Sequence, residues 1–329
     1  MKYRELGTTG IRISEIGFGA WGIGGDSYGA TEDEESKQTL LLALECGINF
    51  FDTSDIYGSG HSEELIGEAL APFRDRIVLA TKGGALPHRG ILMPQNFSPG
   101  HLEKALEASL KRLRADCVDL YQLHSPAEAD LTDEVLKTLD NFKEKGKARL
   151  IGVSARSPSA AAALLARYSF ASIQVNFNMI DQRALEVGLF ALCSKAGVGV
   201  IARTPFNFGF LAGGIRNLNF SNTDHRANWP KEQLERWMRA ISLFEELYKD
   251  GRMTKAQLAL QFCLAFGPIS SVIPGMLTRR EVEENVCASD LTPLTPAELS
   301  SITEIYKLHT FVDPSLMRKT TQLRYNQGD

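Results

Sequence analysis

Short apolar runs of strand length alternate along the chain with longer segments of helical period. The runs Ser14–Gly22, Asn49–Asp52, Ile77–Lys82, Val118–His124, Arg149–Ser154, Ser172–Phe177, Val198–Arg203 and Ser270–Pro274 predict buried strands. Between and after them, Glu34–Cys46, Ser62–Ala71, Ser98–Leu113, Asp133–Lys145, Ser157–Arg167, Ala184–Ala196, Lys231–Lys249, Thr254–Phe266, Arg279–Ala288 and Pro296–Leu308 read as helices. The third of these carries Leu102, Leu106, Leu110 and Leu113 on one face. The sixth ends at Gly197, where a helix C-terminus favours glycine. Residues 1–13, with a Gly-Thr-Thr-Gly turn, predict a small hairpin lid.

Through the seventh strand, strand centres recur about every 25–40 residues with a helix between, the βαβ rhythm of a parallel sheet. Eight such units in 329 residues fit a (β/α)8 TIM barrel, with one long loop after the seventh strand. No linker or shift in composition divides the chain, so residues 1–329 read as a single domain. An open doubly wound sheet is the competing architecture. Its best support is Gly17-Phe18-Gly19-Ala20-Trp21-Gly22, which spells the dinucleotide fingerprint G-x-G-x-x-G. A genuine fingerprint opens directly into a helix, whereas here Ile23-Gly24-Gly25-Asp26-Ser27-Tyr28-Gly29 continues as a loop. The barrel is therefore the expected fold.

Composition narrows the function classes. The chain is 43% hydrophobic and 23% charged with a net charge of −4, and no basic stripe offers a nucleic-acid surface. The N-terminus has no apolar signal core and no apolar run is long enough to span a bilayer, so no membrane association is expected. Cys46, Cys117, Cys193, Cys263 and Cys287 are odd in number and scattered, which suits reduced thiols of a cytoplasmic protein. The six histidines show no ligand spacing, so no metal is expected.

A barrel aims the C-terminal ends of its strands at one mouth. That topology gathers Asp52 and Tyr57 from the second strand, Lys82 from the third and His124 from the fourth. Lys82, half-buried by its apolar neighbours, needs a carboxylate, and Asp52 on the adjacent strand is the natural one. A plain buried ion pair and a strand-end histidine bonded to backbone are the structural alternatives. Together, however, the four make a chemistry. A tyrosine, with a reference pKa near 10, becomes a usable acid when an ammonium stabilises its phenolate. With His124 polarising a carbonyl, the set can deliver a proton to oxygen as hydride arrives at carbon.

Asp52-Thr53-Ser54-Asp55-Ile56-Tyr57-Gly58 with Ser62-Glu63-Glu64-Leu65-Ile66-Gly67, then Ala80-Thr81-Lys82-Gly83-Gly84, then Asp119-Leu120-Tyr121-Gln122-Leu123-His124 resemble the aldo-keto reductase superfamily, in that family's order and over nearly the whole chain. The resemblance implies a (β/α)8 barrel that reduces aldehydes or ketones with a nicotinamide nucleotide held extended. It implies Tyr57 as general acid/base, with Asp52, Lys82 and His124 completing the tetrad.

The resemblance also carries cofactor positions. Ser154 and Gln174 match carboxamide contacts, although the residue after Ser154 is Ala155 where the family usually has Asn. Arg203 stands where many members stack a tyrosine on the nicotinamide, and Trp21 joins it at the mouth. Thr204, Pro205, Phe206, Gly209 and Leu211 resemble the pyrophosphate-wrapping segment. Gly275, Thr278, Arg279, Glu281, Glu284 and Asn285 resemble the adenosine end, at a helix N-terminus suited to phosphate. Arg279 or Arg280 could pair with a 2′-phosphate, which Glu281 would repel. NADP(H) is the expected cofactor and NAD(H) the competitor.

Carbonyl reductase or aldose dehydrogenase is the leading function. A nucleotide-bound regulatory module like the potassium-channel β-subunits is the alternative from another class. A short-chain dehydrogenase would need Tyr-x-x-x-Lys, which the sequence lacks. Trp21, Ile23, Leu86, Ser125 and the tail after His309 are expected to line the mouth, for small carbonyls or sugars. The sequence leaves oligomeric state open.

Overall fold

In the computed structural model, which describes residues 1–87 and 93–313, eight parallel strands stand in one sheet in chain order. A hairpin precedes them, β1 (Tyr3–Glu5) paired antiparallel with β2 (Arg12–Ser14). The barrel strands are β3 (Phe18–Gly19), β4 (Phe50–Asp52), β5 (Val78–Gly83), β6 (Val118–His124), β7 (Ala148–Ser154), β8 (Ser172–Asn176), β9 (Gly199–Arg203) and β10 (Ile269–Ile273). Parallel bridges Ile16–Val272 and Gly19–Gly275 join the first barrel strand to the last and close the sheet on itself.

Helices follow the strands in the expected order: α1 (Asp33–Glu45), α2 (His61–Leu70), α3 (Pro99–Leu113), α4 (Asp133–Glu144) and α5 (Pro158–Leu165). Then come α6 (Arg183–Glu186), α7 (Leu189–Ala196), α8 (Lys231–Ala240), α9 (Lys255–Leu264), α10 (Arg279–Cys287) and α11 (Pro296–Leu308). Leu102, Leu106, Leu110 and Leu113 of α3 are all buried, as their spacing predicts.

Three expected elements change on folding. The nine-residue run Ser14–Gly22 forms only the two-residue β3, because Gly17 and Gly19 lie against β10 where the barrel closes. A Cβ at Gly19 would stand 2.8 Å from the Ile273 carbonyl oxygen. No helix follows, and the chain turns once at Gly22–Gly24, so the dinucleotide fingerprint is a strand-closing motif here. The segment Ala184–Ala196 splits into α6 and α7 at Gly188, whose φ of 65° belongs to a left-handed turn. The segment Lys231–Lys249 continues beyond α8 only as tighter turns over Ile241–Leu247.

Alternation along the strands creates two cores. Phe50, Ala80, Leu120, Ile201 and Ile273 point into the barrel, where Leu6 and Ile13 of the hairpin join them as a plug. The larger core lies between strands and helices. Above the inner apolar layer, the same inward parity continues as Asp52, Lys82, Gln122, Gln174 and Arg203. The hairpin thus closes the end where the strands start, and the polar layer opens at the other.

Candidate active site

Of the four expected residues, Asp52, Lys82 and His124 owe their places to strand ends and Tyr57 to the turn after β4. Asp52 ends β4 and is buried among the inner residues. Lys82, two residues past the inward Ala80, is fully buried, not half-buried as its sequence suggests. Its Nζ donates to Asp52 Oδ1 at 2.5 Å, to the Thr53 carbonyl at 2.7 Å and to the Tyr57 hydroxyl at 3.3 Å. Burial alone would push this ammonium down; attraction to Asp52 and Tyr57 and their hydrogen bonds overcome it and hold Lys82 above the ordinary lysine value. Asp52 Oδ2 accepts from the amides of Gln122 and Gln174, each at 2.8 Å. The carboxylate therefore has a donor on every side.

Tyr57 lies on a tight turn after β4, where Gly58 and Ser59 take left-handed conformations (φ 59° and 56°). The turn packs so closely on Gly24 that a Cβ at Gly58 would fall 2.3 Å from the Gly24 oxygen. This contact fixes the tyrosine ring between Trp21 and His124, at centroid distances of 6.2 Å and 6.1 Å. His124 ends β6 and its Nδ1 lies 3.1 Å from Ser54 Oγ.

These groups form part of the lining of a cleft of ≈ 1120 Å³. Of the expected residues, Trp21, Asp52, Tyr57, His124, Gln174, Arg203, Thr204, Pro205, Phe206, Gly209, Gly275, Thr278, Glu281, Glu284 and Asn285 line it. Lys82 sits behind Asp52 and Tyr57. Ser154 is buried one layer back, its hydroxyl donating to Gln174 Oε1 at 3.2 Å. The Leu211 side chain is buried in the outer core. Arg279 turns to Glu35 (3.5 Å), while its neighbour Arg280 lines the cleft. Glu281 folds back as a helix cap, accepting from the backbone N–H groups of Leu277 and Thr278 at 2.6 Å and 3.1 Å.

At the mouth, Ile23 belongs to the core and Ser125 is buried, so neither joins Trp21 in lining the cleft. Leu86 is half-buried and also lies outside the lining. From the tail, residues 309–313 turn back on α8, with Gln233 donating to the Phe311 carbonyl at 2.6 Å. Residues 314–329 lie outside the described residues.

The segment after β9 forms the opposite wall. It crosses to the loop after β3, where the His225 backbone N–H donates to the Ser27 carbonyl at 2.9 Å and Asp224 bridges Tyr28. The His225 ring packs on Trp21 (4.5 Å) and Tyr28 (4.7 Å), and burial pushes its pKa down to about 4. Arg226, ion-paired with Asp224 at 2.6 Å, lies over the rings of Tyr28 and Phe220.

This wall fits a nicotinamide nucleotide. Arg203 donates through Nη2 to the Ala155 carbonyl at 3.1 Å, but its Nε is buried without a partner among the described residues, as is Asn207 Nδ2. Burial holds the Arg203 guanidinium below its ordinary value, so an acceptor there would be welcome. The cleft continues from Arg203 past the glycines at 209, 213 and 214 to the N-terminus of α10, and backbone can approach a ligand closely along that path.

Several lining residues escaped the sequence reading: Tyr28, Phe208, Arg216, Phe220 and Arg226 come from loops without a period to betray them. Gln122 was legible, since it stands two residues before His124 in a strand and must share its face.

The Aldo/keto reductase family profile matches residues 15–307. The chain is 31% identical over 323 residues to the NADH-specific methylglyoxal reductase of Escherichia coli, covering 93% of this chain and 98% of that one. It is 32% identical over 283 residues to the aldo-keto reductase yakc [NADP(+)] of Schizosaccharomyces pombe, covering 83% of each. Its fold superposes on the glycerol dehydrogenase AKR11B4 of Gluconobacter oxydans with a TM-score of 0.80 at 28% identity, over 95% and 98% of the two chains. With a closed eight-stranded barrel, a polar cluster at its mouth and a profile match over nearly its full length, the chain belongs to the aldo/keto reductase family of oxidoreductases.

Proposed function

We propose that the protein interconverts carbonyls and alcohols, reducing small aldehydes or ketones to alcohols or running the reverse reaction on sugars, with Tyr57 as general acid/base. The observation that carries this reading is the file Asp52–Lys82–Tyr57, with contacts of 2.5 Å and 3.3 Å ending on a phenol in the cleft. When bound, the nicotinamide nucleotide would exchange hydride with the carbonyl carbon. Tyr57 would hold the proton at its hydroxyl for the carbonyl oxygen, and Lys82 would stabilise the phenolate left behind. Asp52, anchored by Gln122 and Gln174, keeps the ammonium charged and aimed. His124 would orient the same oxygen from the neighbouring strand.

Arg203, Gln174 and Asn207 would hold the nicotinamide end, and Arg216 and Arg280 the adenosine end. NADP(H) is the proposed cofactor. Arg216 and Arg280 line the cleft without an ion pair among the described residues, while the Glu281 carboxylate is engaged as a cap. Five free thiols support a reducing compartment, the cytoplasm.

The test follows oxidation of NADPH and of NADH against 4-nitrobenzaldehyde, wild type beside Tyr57→Phe. The variant should lose on the order of 10²- to 10⁴-fold in turnover and keep cofactor binding. Tight binding of both nucleotides with no turnover by the wild type would overturn the catalytic reading in favour of a nucleotide-bound regulatory module.

A further inference from the structure

Residues 309–313 lie against α8, and none of them lines the cleft. A glutamine receives them. Gln233 is fully buried in the first turn of α8, where an unbonded amide would be costly. Both ends of its amide are spent on the backbone of this segment. Nε2 donates to the Phe311 carbonyl at 2.6 Å, and Oε1 accepts from the Asp313 N–H at 3.0 Å. Arg236 donates to the Thr310 carbonyl at 3.2 Å and pairs with the Asp313 carboxylate at 3.4 Å. The Phe311 ring is buried and stacks on Tyr306 of α11, with centroids 6.3 Å apart. The segment is thus fixed by its backbone to α8 and by one ring to α11.

The same face of α8 carries Trp237, one turn beyond Gln233. Its indole packs on Phe208 and Phe210, each at a centroid distance of 5.6 Å, and on Trp229 at 4.9 Å. The indole N–H has no partner among the described residues, so packing sets where the ring lies. Phe208 lines the cleft from the wall after β9. Its φ of 62° is left-handed, a conformation that a bulky residue keeps only where its surroundings hold it. Trp237, Trp229 and His225 supply the aromatic rings around it. In an interior packed at crystal density, a shift of α8 is felt at Phe208.

We infer that Gln233 and Trp237 are positioning residues for nucleotide binding. Through them residues 309–313 clasp α8, and α8 holds the wall after β9 in the form that receives the cofactor. That role rests on the proposed nucleotide site. With the clasp open, Gln233 loses both partners, α8 is free to shift, and fewer molecules carry the wall in its binding form. Apparent Kd rises in inverse proportion to that fraction. Proton transfer is left as it was, because Asp52 and Lys82 are held by strands and Tyr57 by the turn at Gly58.

The test uses the full-length protein with Gln233→Leu, with Phe311→Ala and with both. Amide hydrogen exchange over residues 204–211 of the nucleotide-free protein should quicken in each variant. Kd for NADP+, measured by calorimetry, should rise about tenfold. The double variant should be no weaker than either single one, since each opens the same clasp. Phe311→Leu, which keeps an apolar anchor, should bring both readings back toward the wild type. Aldehyde KM at saturating NADPH should stay within about twofold of the wild type. A lower melting temperature with unchanged exchange and unchanged Kd would reduce these contacts to a structural role and overturn the clasp. So would a raised aldehyde KM at unchanged nucleotide Kd, which would place the segment at the substrate mouth. Should Gln233→Leu not fold, Arg236→Ala at its half-exposed position decides. Its Kd should rise about threefold, and an unchanged Kd would overturn the clasp. If the wild type binds neither nucleotide, the functional reading falls, and hydrogen exchange alone upholds or overturns the clasp.

Discussion

The two walls of the cleft are built on different terms. On the strand side, the buried carboxylate of Asp52 meets an ammonium and two amides, and each donor comes from a different strand. On the loop side, which starts at Arg203 where β9 ends, Arg203 Nε, Asn207 Nδ2 and His225 Nε2 are buried with no hydrogen-bond partner among the described residues. There, too, Thr204, Asn207 and Phe208 adopt left-handed backbone conformations, with φ of 56°, 45° and 62°. The strand wall is internally satisfied and needs nothing from a ligand to hold its shape. The loop wall carries unmet donors and strained backbone, which a bound nucleotide could relieve. In the proposed mechanism, proton chemistry sits on the first wall and cofactor recognition on the second, so damage to each should show in different measurements.

The largest break is Lys82→Met. It leaves the Asp52 carboxyl in the barrel without its ammonium, beside two neutral amides, and breaking a buried pair this way costs about 3–5 kcal/mol. Urea unfolding should show that loss together with loss of turnover. A variant as stable as the wild type would mean that the Asp52–Lys82 pair does not hold this wall together.

Acid titration separates the walls by sign. His225 is held near 4 against an ordinary 6.5, so the unfolded chain binds the proton first and stability falls as pH drops from about 6.5 to 4. Asp55 is raised to about 7 from 3.8, so the folded chain binds the proton first and stability falls as pH rises from about 4 to 7. Each effect is on the order of 3 kcal/mol, and they oppose one another between pH 4 and 6.5. Asp55→Asn should therefore steepen acid destabilisation, and His225→Asn should flatten or reverse it, in melting curves taken across that range. Parallel curves for all three proteins would contradict the opposed signs.

Gly58→Ala tests how rigidly the tyrosine turn is held. A Cβ 2.3 Å from the Gly24 oxygen, added at a positive φ, should cost about 2 kcal/mol and reduce turnover more than it weakens cofactor binding. The smallest effect is expected at the far end of the loop wall. Arg280→Ala should weaken NADPH binding by about tenfold with little change for NADH and none in stability. Equal losses for both cofactors would place the 2′-phosphate elsewhere.

Much of this was legible in the chain because strands in a barrel obey simple rules. Asp52, Lys82 and His124 each end an apolar run, and parallel topology sends such ends to one mouth. Gln122 was equally legible by parity. What misled was local: the helix pattern of Ala184–Ala196 concealed a break that Gly188 permits, and Ser14–Gly22 looked like a long strand until its glycines met β10. Arg279 and Arg280 are adjacent in sequence and nearly equivalent as charges. Only the phase of α10 separates them, turning one to Glu35 and the other to the cleft.

By itself, then, the sequence determined the barrel and the strand ends that bring Asp52, Lys82 and His124 to one mouth, because period, parity and strand order are properties of the chain. Tertiary structure alone decided that Lys82 is fully buried, that Glu281 is spent on its own helix, and that the loop after β9 closes onto Tyr28 and Trp21. It also decided that Asp55, an ordinary turn residue by its spacing, stands behind His124 through Ser54. These depend on distances between residues far apart in sequence, and on how much water folding leaves around each charge.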